Sequence, residues 1–263
     1  MAASYSQGME WTAVIAGFAV GAVVGVTGVG GGSLMTPLLI GVFKLNPAVA
    51  IGTDLWFAAV TKSGGAIAHH RHGHVDRGIT RLLLLGSLPA AVATIAWMHL
   101  TGATKAWSSV LTLSLGIGLL LTAVVVAYRP AWQRLGLRLE AWIPARRKAL
   151  LTILAGALLG VLVTLSSIGA GALGATLILL LYPRLPAPQV VGTDIAYAVP
   201  LTLVAGIGHA TLGHVDWALL AALLVGSLPG IWLGARLTKS LPDKLIRSLL
   251  AGSLLIAGLK VIH

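Results

Sequence analysis

The sequence predicts an all-α, polytopic membrane protein made of two inverted-topology repeats of five helical segments each. Three observations carry this expectation. Hydrophobic residues make up 57% of the chain and charged residues only 10%, with a mean hydropathy of +0.94. Crossing a bilayer core takes about 20 apolar residues, and several such windows follow one another along the chain. Finally, a set of polar motifs recurs at one fixed offset.

The apolar segments fall at 11–27, 33–43, 47–69, 79–100, 106–127, 148–165, 172–182, 187–209, 215–237 and 243–262. The short alternating strands of an outer-membrane barrel are missing. The N-terminus lacks the basic region of a cleavable signal peptide, so the first segment reads as a retained helix. Between the halves, residues 128–147 carry Trp132, Leu135, Leu139 and Trp142 at helical spacing, the pattern of an amphipathic segment on the membrane surface. With no cysteine in the chain, disulfides, thiolate metal sites and cysteine nucleophiles are excluded.

Gly52-Thr53-Asp54 returns as Gly192-Thr193-Asp194, and His69 as His209. Gly73-His74-Val75-Asp76 returns as Gly213-His214-Val215-Asp216, and Gly86-Ser87-Leu88-Pro89 as Gly226-Ser227-Leu228-Pro229. Every pair is separated by 140 positions without a gap. This divides the chain into a first transmembrane repeat at 11–127, a linker at 128–147 and a second repeat at 148–262. Five segments is an odd number, so the second repeat is expected upside down relative to the first, as in many secondary transporters.

Fourteen of the 18 Lys and Arg residues fall in the loops after segments 47–69, 106–127, 172–182 and 215–237. Basic loops stay cytoplasmic, which puts both termini outside. The net charge of +11 therefore belongs to solvated loops, and no nucleic-acid partner is expected. Trp97, Trp107, Trp142, Trp217 and Trp232 suit anchoring at the membrane interface.

Segments 33–43 and 172–182 are too short to span. Eleven residues cover about 16 Å, so each is expected to form a re-entrant hairpin with the segment before it. Thr27, Gly28, Gly30, Gly31, Gly32 and Ser33 open the first short helix, and Ser166, Ser167, Gly169 and Gly171 open the second. Irregular backbone at membrane depth is tolerated where it is buried in protein or lines a cavity. A helix N-terminus offers free N–H donors and partial positive charge, so these residues are the predicted substrate-binding set for a small anion. Close helix packing is the other use of such glycines.

Asp54 and Asp194 lie about 10–12 Å along their helices. Intramembrane carboxylates are commonly proton or cation carriers, and Gly-Thr-Asp near a helix start also suits a cap; both readings stand. Thr53, Thr193 and Lys62 complete the predicted coupling set; Thr202 stands at the position equivalent to Lys62, whose side chain is also able to snorkel. His69, His70, His72 and His74 form a cluster of which the second half keeps only His209 and His214. A solvated helix end is the simpler expectation than a metal site, and the His-Val-Asp runs are expected to start the following helices. The Gly-Ser-Leu-Pro runs predict matching kinks.

At these residues the chain resembles the TauE/SafE sulfite-exporter (TSUP) family. The resemblance rests on Gly28-Val29-Gly30-Gly31-Gly32, Pro37, the two Gly-Thr-Asp runs, the His-Val-Asp runs and Gly-Ser-Leu-Pro-Gly, and it extends over roughly 11–262. Leu177 stands where the second hairpin would carry the counterpart of Pro37, and that hairpin has fewer glycines. The resemblance implies transport of sulfite, sulfoacetate or another organosulfonate across a bacterial inner membrane. The expected protein is a secondary transporter working by alternating access with proton coupling, and not an enzyme. It needs no cofactor, its partners are a small anion and membrane lipids, and a homodimer is compatible with it. An anion channel and a metal-ion transporter are the alternatives.

Overall fold

The computed structural model describes residues 2–27, 32–102, 105–140, 142–237 and 243–262. Among them are eleven helices: α1 (Ala2–Thr27), α2 (Gly32–Gly41), α3 (Pro47–Arg71), α4 (Arg77–Thr101), α5 (Lys105–Ala127), α6 (Arg129–Glu140), α7 (Ala145–Ser166), α8 (Ala172–Leu181), α9 (Ala187–Thr211), α10 (Trp217–Leu237) and α11 (Asp243–Ile262). All ten expected segments are present. The first begins nine residues earlier than hydropathy indicated, because Ala2 to Glu10 continue the helix without an apolar signal.

Five stretches are long and apolar enough to cross a membrane: Arg77–Thr101, Trp107–Ala127, Arg146–Ser166, Ala187–Thr211 and Trp217–Gly234. The helix α3 is as long as α9, at 25 residues, but carries Asp54, Lys62 and a histidine-rich end. Large apolar side chains such as Leu85, Leu113, Leu154 and Val225 point outward. Thr53, Asp54, Thr193 and Asp194 are buried instead. That is the arrangement of a protein whose solvent is lipid.

The short helices α2 and α8 have 10 residues each, about 15 Å of rise. Chain punctuation around them is local. The Asn46 side chain accepts the Ala48 N–H at 2.9 Å and Pro47 sits in the first turn of α3. The Asp76 carboxylate caps α4 by accepting the Ile79 N–H at 2.9 Å, and Asp216 caps α10 by accepting from Leu219 at 3.0 Å. The His-Val-Asp runs thus do start the following helices. Both α4 and α10 continue through their prolines, Pro89 and Pro229.

The linker holds a true helix, α6, and it packs on α8. A Cβ at Gly136 would lie 2.7 Å from the Leu180 carbonyl oxygen, so the two backbones touch. Glu140 pairs with Arg184 at 2.8 Å and Lys148 at 3.6 Å, tying the end of α6 to the loop after α8 and to the first turn of α7.

Helices from the two halves pack on each other in corresponding pairs. The pair α1 with α10 corresponds to α7 with α4, while α3 meets α9 and α5 meets α11. The first two contacts depend on glycine. A Cβ at Gly86 would lie 1.9 Å from the Ile153 carbonyl oxygen on α7, and one at Gly226 would lie 1.9 Å from that of Val14 on α1. The Gly-Ser-Leu-Pro runs are therefore packing surfaces first.

Adding one methyl at either place forces the backbones apart, at about 1–3 kcal/mol. Gly86→Ala and Gly226→Ala should each lower the thermal midpoint of the purified protein by several degrees. Gly64→Ala, whose added Cβ meets nothing within 4 Å, should not lower it; equal midpoints for all three would contradict this packing.

Candidate functional site: a buried charge centre at the α7–α8 bend

The second hairpin turns at Ser167 to Gly171. Ser167 ends α7 in a left-handed conformation (φ 57°, ψ 4°), and its N–H bonds the Val163 carbonyl at 2.8 Å. Gly169 (φ 125°) and Gly171 (φ 146°) hold backbone angles that side chains disfavour. The Gly174 and Ala175 N–H groups reach back to the carbonyls of Gly169 and Gly171, at 2.9 and 2.8 Å. These bonds fix the start of α8 against the bend.

Two long helices bring side chains to this bend. From α3, Lys62 is 6% exposed, and its Nζ donates to the Ala170 carbonyl oxygen in the bend itself. Asp54, fully buried, accepts from the Thr36 hydroxyl of α2 on Oδ2. The Ser167 hydroxyl lies beside the Asp54 carboxylate, yet neither Ser167 Oγ nor Asp54 Oδ1 has a hydrogen-bond partner.

From α9 come Asp194 and Tyr197, both buried. Asp194 Oδ1 and the Tyr197 hydroxyl crowd Gly174 so closely that a Cβ there would lie 2.2 Å from each. Both atoms lack hydrogen-bond partners. Lys62 lies near both carboxylates, and among the described residues the ion pairs join Glu140 to Arg184 and Lys148, not Lys62 to either aspartate. Arg129, at the start of α6, adds a longer-range positive field at Asp194. The result is one ammonium and two carboxylates enclosed between the halves, with one oxygen of each carboxylate and the Ser167 and Tyr197 hydroxyls unpartnered.

The rest of each Gly-Thr-Asp run binds the opposite half. The Asp216 N–H donates to Thr53 Oγ1 at 3.0 Å, and the Asp76 N–H donates to Thr193 Oγ1, also at 3.0 Å. A Cβ at Gly52 would lie 1.9 Å from the His214 carbonyl oxygen, and one at Gly192 would lie 2.4 Å from that of His74. Glycine allows the approach, threonine satisfies a helix-end N–H, and aspartate faces the centre. The cap drawn from sequence is real but belongs to threonine, and it acts across the halves.

Of the predicted donors, Gly28, Gly30 and Gly31 lie outside the described residues, and of Thr27, Gly32 and Ser33 only the helical backbone is described. Ser166 Oγ is taken up locally, donating to the Leu162 carbonyl at 2.6 Å and accepting the Ile168 N–H at 3.2 Å. Ser167, Gly169 and Gly171 stand at the bend with Lys62, Asp54 and Asp194. Sequence reasoning passed over Thr36, Ala170, Gly174 and Tyr197. Only Thr36 had a visible signal, since Thr176 stands 140 positions on.

The histidines pair ring against ring. His69 and His74 have centroids 5.5 Å apart, and His209 and His214 are 5.4 Å apart. His209 donates from Nε2 to the Thr164 carbonyl at 2.9 Å, and its Nδ1 has no partner. Burial, with a smaller push from His99, holds the His214 imidazole below the ordinary histidine range. Among the described residues no group of three or more His, Asp or Glu is arranged to hold a metal. A cavity of about 470 Å³ opens near Asn46, Met98, Trp107, Leu111 and His214, on the face where α3 begins and α9 ends.

Helical spans coated with apolar side chains around such a centre define a polytopic membrane protein with an ionisable site between its halves. The family described as sulfite exporter TauE/SafE matches residues 13–261, and the chain belongs to it. It is 39% identical over 257 residues, 97% of this chain and all of the relative, to the probable membrane transporter protein YjnA of Bacillus subtilis. A second Bacillus subtilis protein, the probable membrane transporter YdhB, is 30% identical over 92% of this chain and 96% of its own length. A probable membrane transporter of Xylella fastidiosa is 28% identical over 84% of this chain and 82% of its own. No solved structure matches the chain. The protein is a multi-pass membrane transporter and not an enzyme.

The crossed threonine bonds give a direct test. Thr53→Val and Thr193→Val each strand a helix-end N–H at a cost of about 1–3 kcal/mol, so each should lower the thermal midpoint by several degrees. Thr53→Ser and Thr193→Ser should restore most of it; valine variants melting like the parent would show that these bonds carry no weight.

Proposed function

We propose that the protein is a secondary transporter for a small sulfur-containing oxyanion, such as sulfite, sulfoacetate or another organosulfonate. It works by alternating access around the centre between α3, α9 and the bend of the second hairpin. The observation that carries this reading is Lys62 held by its ammonium to the Ala170 carbonyl, inside an irregular bend where unwound backbone meets two buried carboxylates. Non-helical backbone is tolerated at such depth where protein buries it or a water-filled cavity needs it. Intramembrane ionisable groups there mark substrate or ion pathways. The family description supplies the chemical class of cargo.

The reading extends to architecture. Residues 11–127 and 148–262 act as two inverted repeats, with α6 in a cytoplasmic linker and both termini outside the inner membrane. The crossed Thr53–Asp216 and Thr193–Asp76 bonds sit at opposite ends of the α3–α9 pair, as an inverted arrangement requires. Protons are the coupling ion, motivated by Asp54 and Asp194, which stay buried with unpartnered oxygens.

Purified protein in proteoliposomes should show saturable counterflow of labelled sulfite, inhibited by some members of a panel of sulfate, thiosulfate and small sulfonates. Flux that neither saturates nor shows counterflow would make it a channel. A preference for cations over every anion would overturn the assignment. Proton coupling is dropped if Asp54→Asn and Asp194→Asn both leave uptake driven by a pH gradient unchanged.

A further inference from the structure

The charge centre is lopsided in a way that bears on its stoichiometry. Asp54 and Asp194 are 140 positions apart, but Lys62 has no charged counterpart. Thr202 stands there, and its hydroxyl is taken up by its own helix, donating to the Ala198 carbonyl at 2.9 Å. Two carboxylates therefore share one ammonium.

The carboxylates are also held differently. Asp54 is anchored through Oδ2 by the Thr36 hydroxyl. Asp194 Oδ1 has no partner, and neither does the Tyr197 hydroxyl beside it. Lys62 donates one hydrogen bond, to the Ala170 carbonyl, which leaves two of its three N–H donors for an anion. A permanent structural ion pair in a lipid-spanning fold would satisfy its carboxylate oxygens, because a buried charge short of partners is costly. Here Lys62 closes no ion pair with either aspartate, and Oδ1 of each carboxylate makes no hydrogen bond of ordinary geometry, with only the Ser167 and Tyr197 hydroxyls beside them.

We propose that Lys62 is the counter-charge of the transported anion: a monovalent anion entering at the bend binds the Lys62 ammonium, and the buried Asp194 carboxylate nearby takes up one proton, so that one anion and one proton cross together. This rests on the anion-transporter reading above and adds its stoichiometry. The charged and titratable groups facing this site are Asp54 and Lys62 of α3, Tyr197 on the same helix as Asp194, and Arg129 at the start of α6. With all of Asp54, Asp194 and Lys62 ionised the trio carries one net negative charge. An incoming anion would double it in a medium of low dielectric, and one proton on Asp194 restores the starting value. The proton comes from water on the side to which the site is open, and leaves with the anion on the other.

The test uses the whole protein in proteoliposomes with trapped pyranine, and labelled methanesulfonate and 2-hydroxyethanesulfonate as probes. Their charge does not change with pH, so any proton moved belongs to the protein. Wild-type uptake should acidify the lumen by close to one proton per anion and be indifferent to membrane potential. Asp194→Asn should take up the anion without protons and respond to an imposed potential. Lys62→Gln should lose at least tenfold of uptake while keeping its thermal midpoint within a few degrees, and Lys62→Arg should recover part.

Uptake by Lys62→Gln at the wild-type rate would overturn the proposal. So would a wild-type flux that carries net charge, and so would Asp194→Asn still moving one proton per anion. If Lys62→Gln does not fold, the Asp194→Asn and wild-type measurements decide alone. A wild type that moves no sulfonate and no sulfite would fail the transporter reading itself, a result distinct from all of these.

Discussion

The structure depends on one constraint: Asp54, Lys62 and Asp194 are enclosed in a protein whose outer surface faces lipid, so their charges must be answered from within. An isolated charge in that setting is costly. The answer is drawn from both halves of the chain. Thr36 of α2 holds Asp54, the bend between α7 and α8 offers the Ala170 carbonyl to Lys62, and α9 supplies Asp194. Neither half closes the centre alone. The irregular backbone of the second hairpin is thereby explained, since a helix passing straight through would have spent the Ala170 carbonyl on its own ladder.

Enclosing the centre requires α3 and α9 to sit close and stay in register, and the crossed Gly-Thr contacts secure this. Each run sets a glycine against a histidine carbonyl and a threonine against an aspartate N–H of the other half. Trp56 adds a third tie, donating to the Gly206 carbonyl at 2.9 Å. The two threonine ties sit toward opposite ends of the α3–α9 pair, each one residue before its carboxylate along the helix. Tied at these points, the two halves meet around a centre whose carboxylates keep unpartnered oxygens.

Much of this was legible in the sequence, and the missing parts share a cause. Hydropathy placed every spanning segment, because lipid exposure writes itself into composition. The 140-residue offset exposed Gly-Thr-Asp and His-Val-Asp as paired motifs, but not that each motif's partner is the other motif in the opposite half. Spacing along a chain does not report contacts between segments more than a hundred residues apart. Tyr197 was invisible because its counterpart is Phe57, and Lys62 stood without a role because its counterpart is Thr202. Features that break the repeat carry no repeat signal. The linker was legible as amphipathic, whereas its close seat on α8 turned on the single residue Gly136. Ser166 shows the converse, a residue of the right type in the right motif whose hydroxyl is consumed by its own turn.

The central claim is that the bend at Ser167 faces a site opened to the two sides of the membrane in turn. The chain has no cysteine, so Ser167→Cys would place a single thiol beside Asp54 on a clean background. The most direct measurement is its labelling by a membrane-impermeant maleimide, applied in turn from each side of oriented vesicles, with and without sulfite. The account predicts labelling from both sides, with sulfite protecting the thiol and shifting the balance between them. A thiol reached from one side only, whatever the substrate, would contradict it.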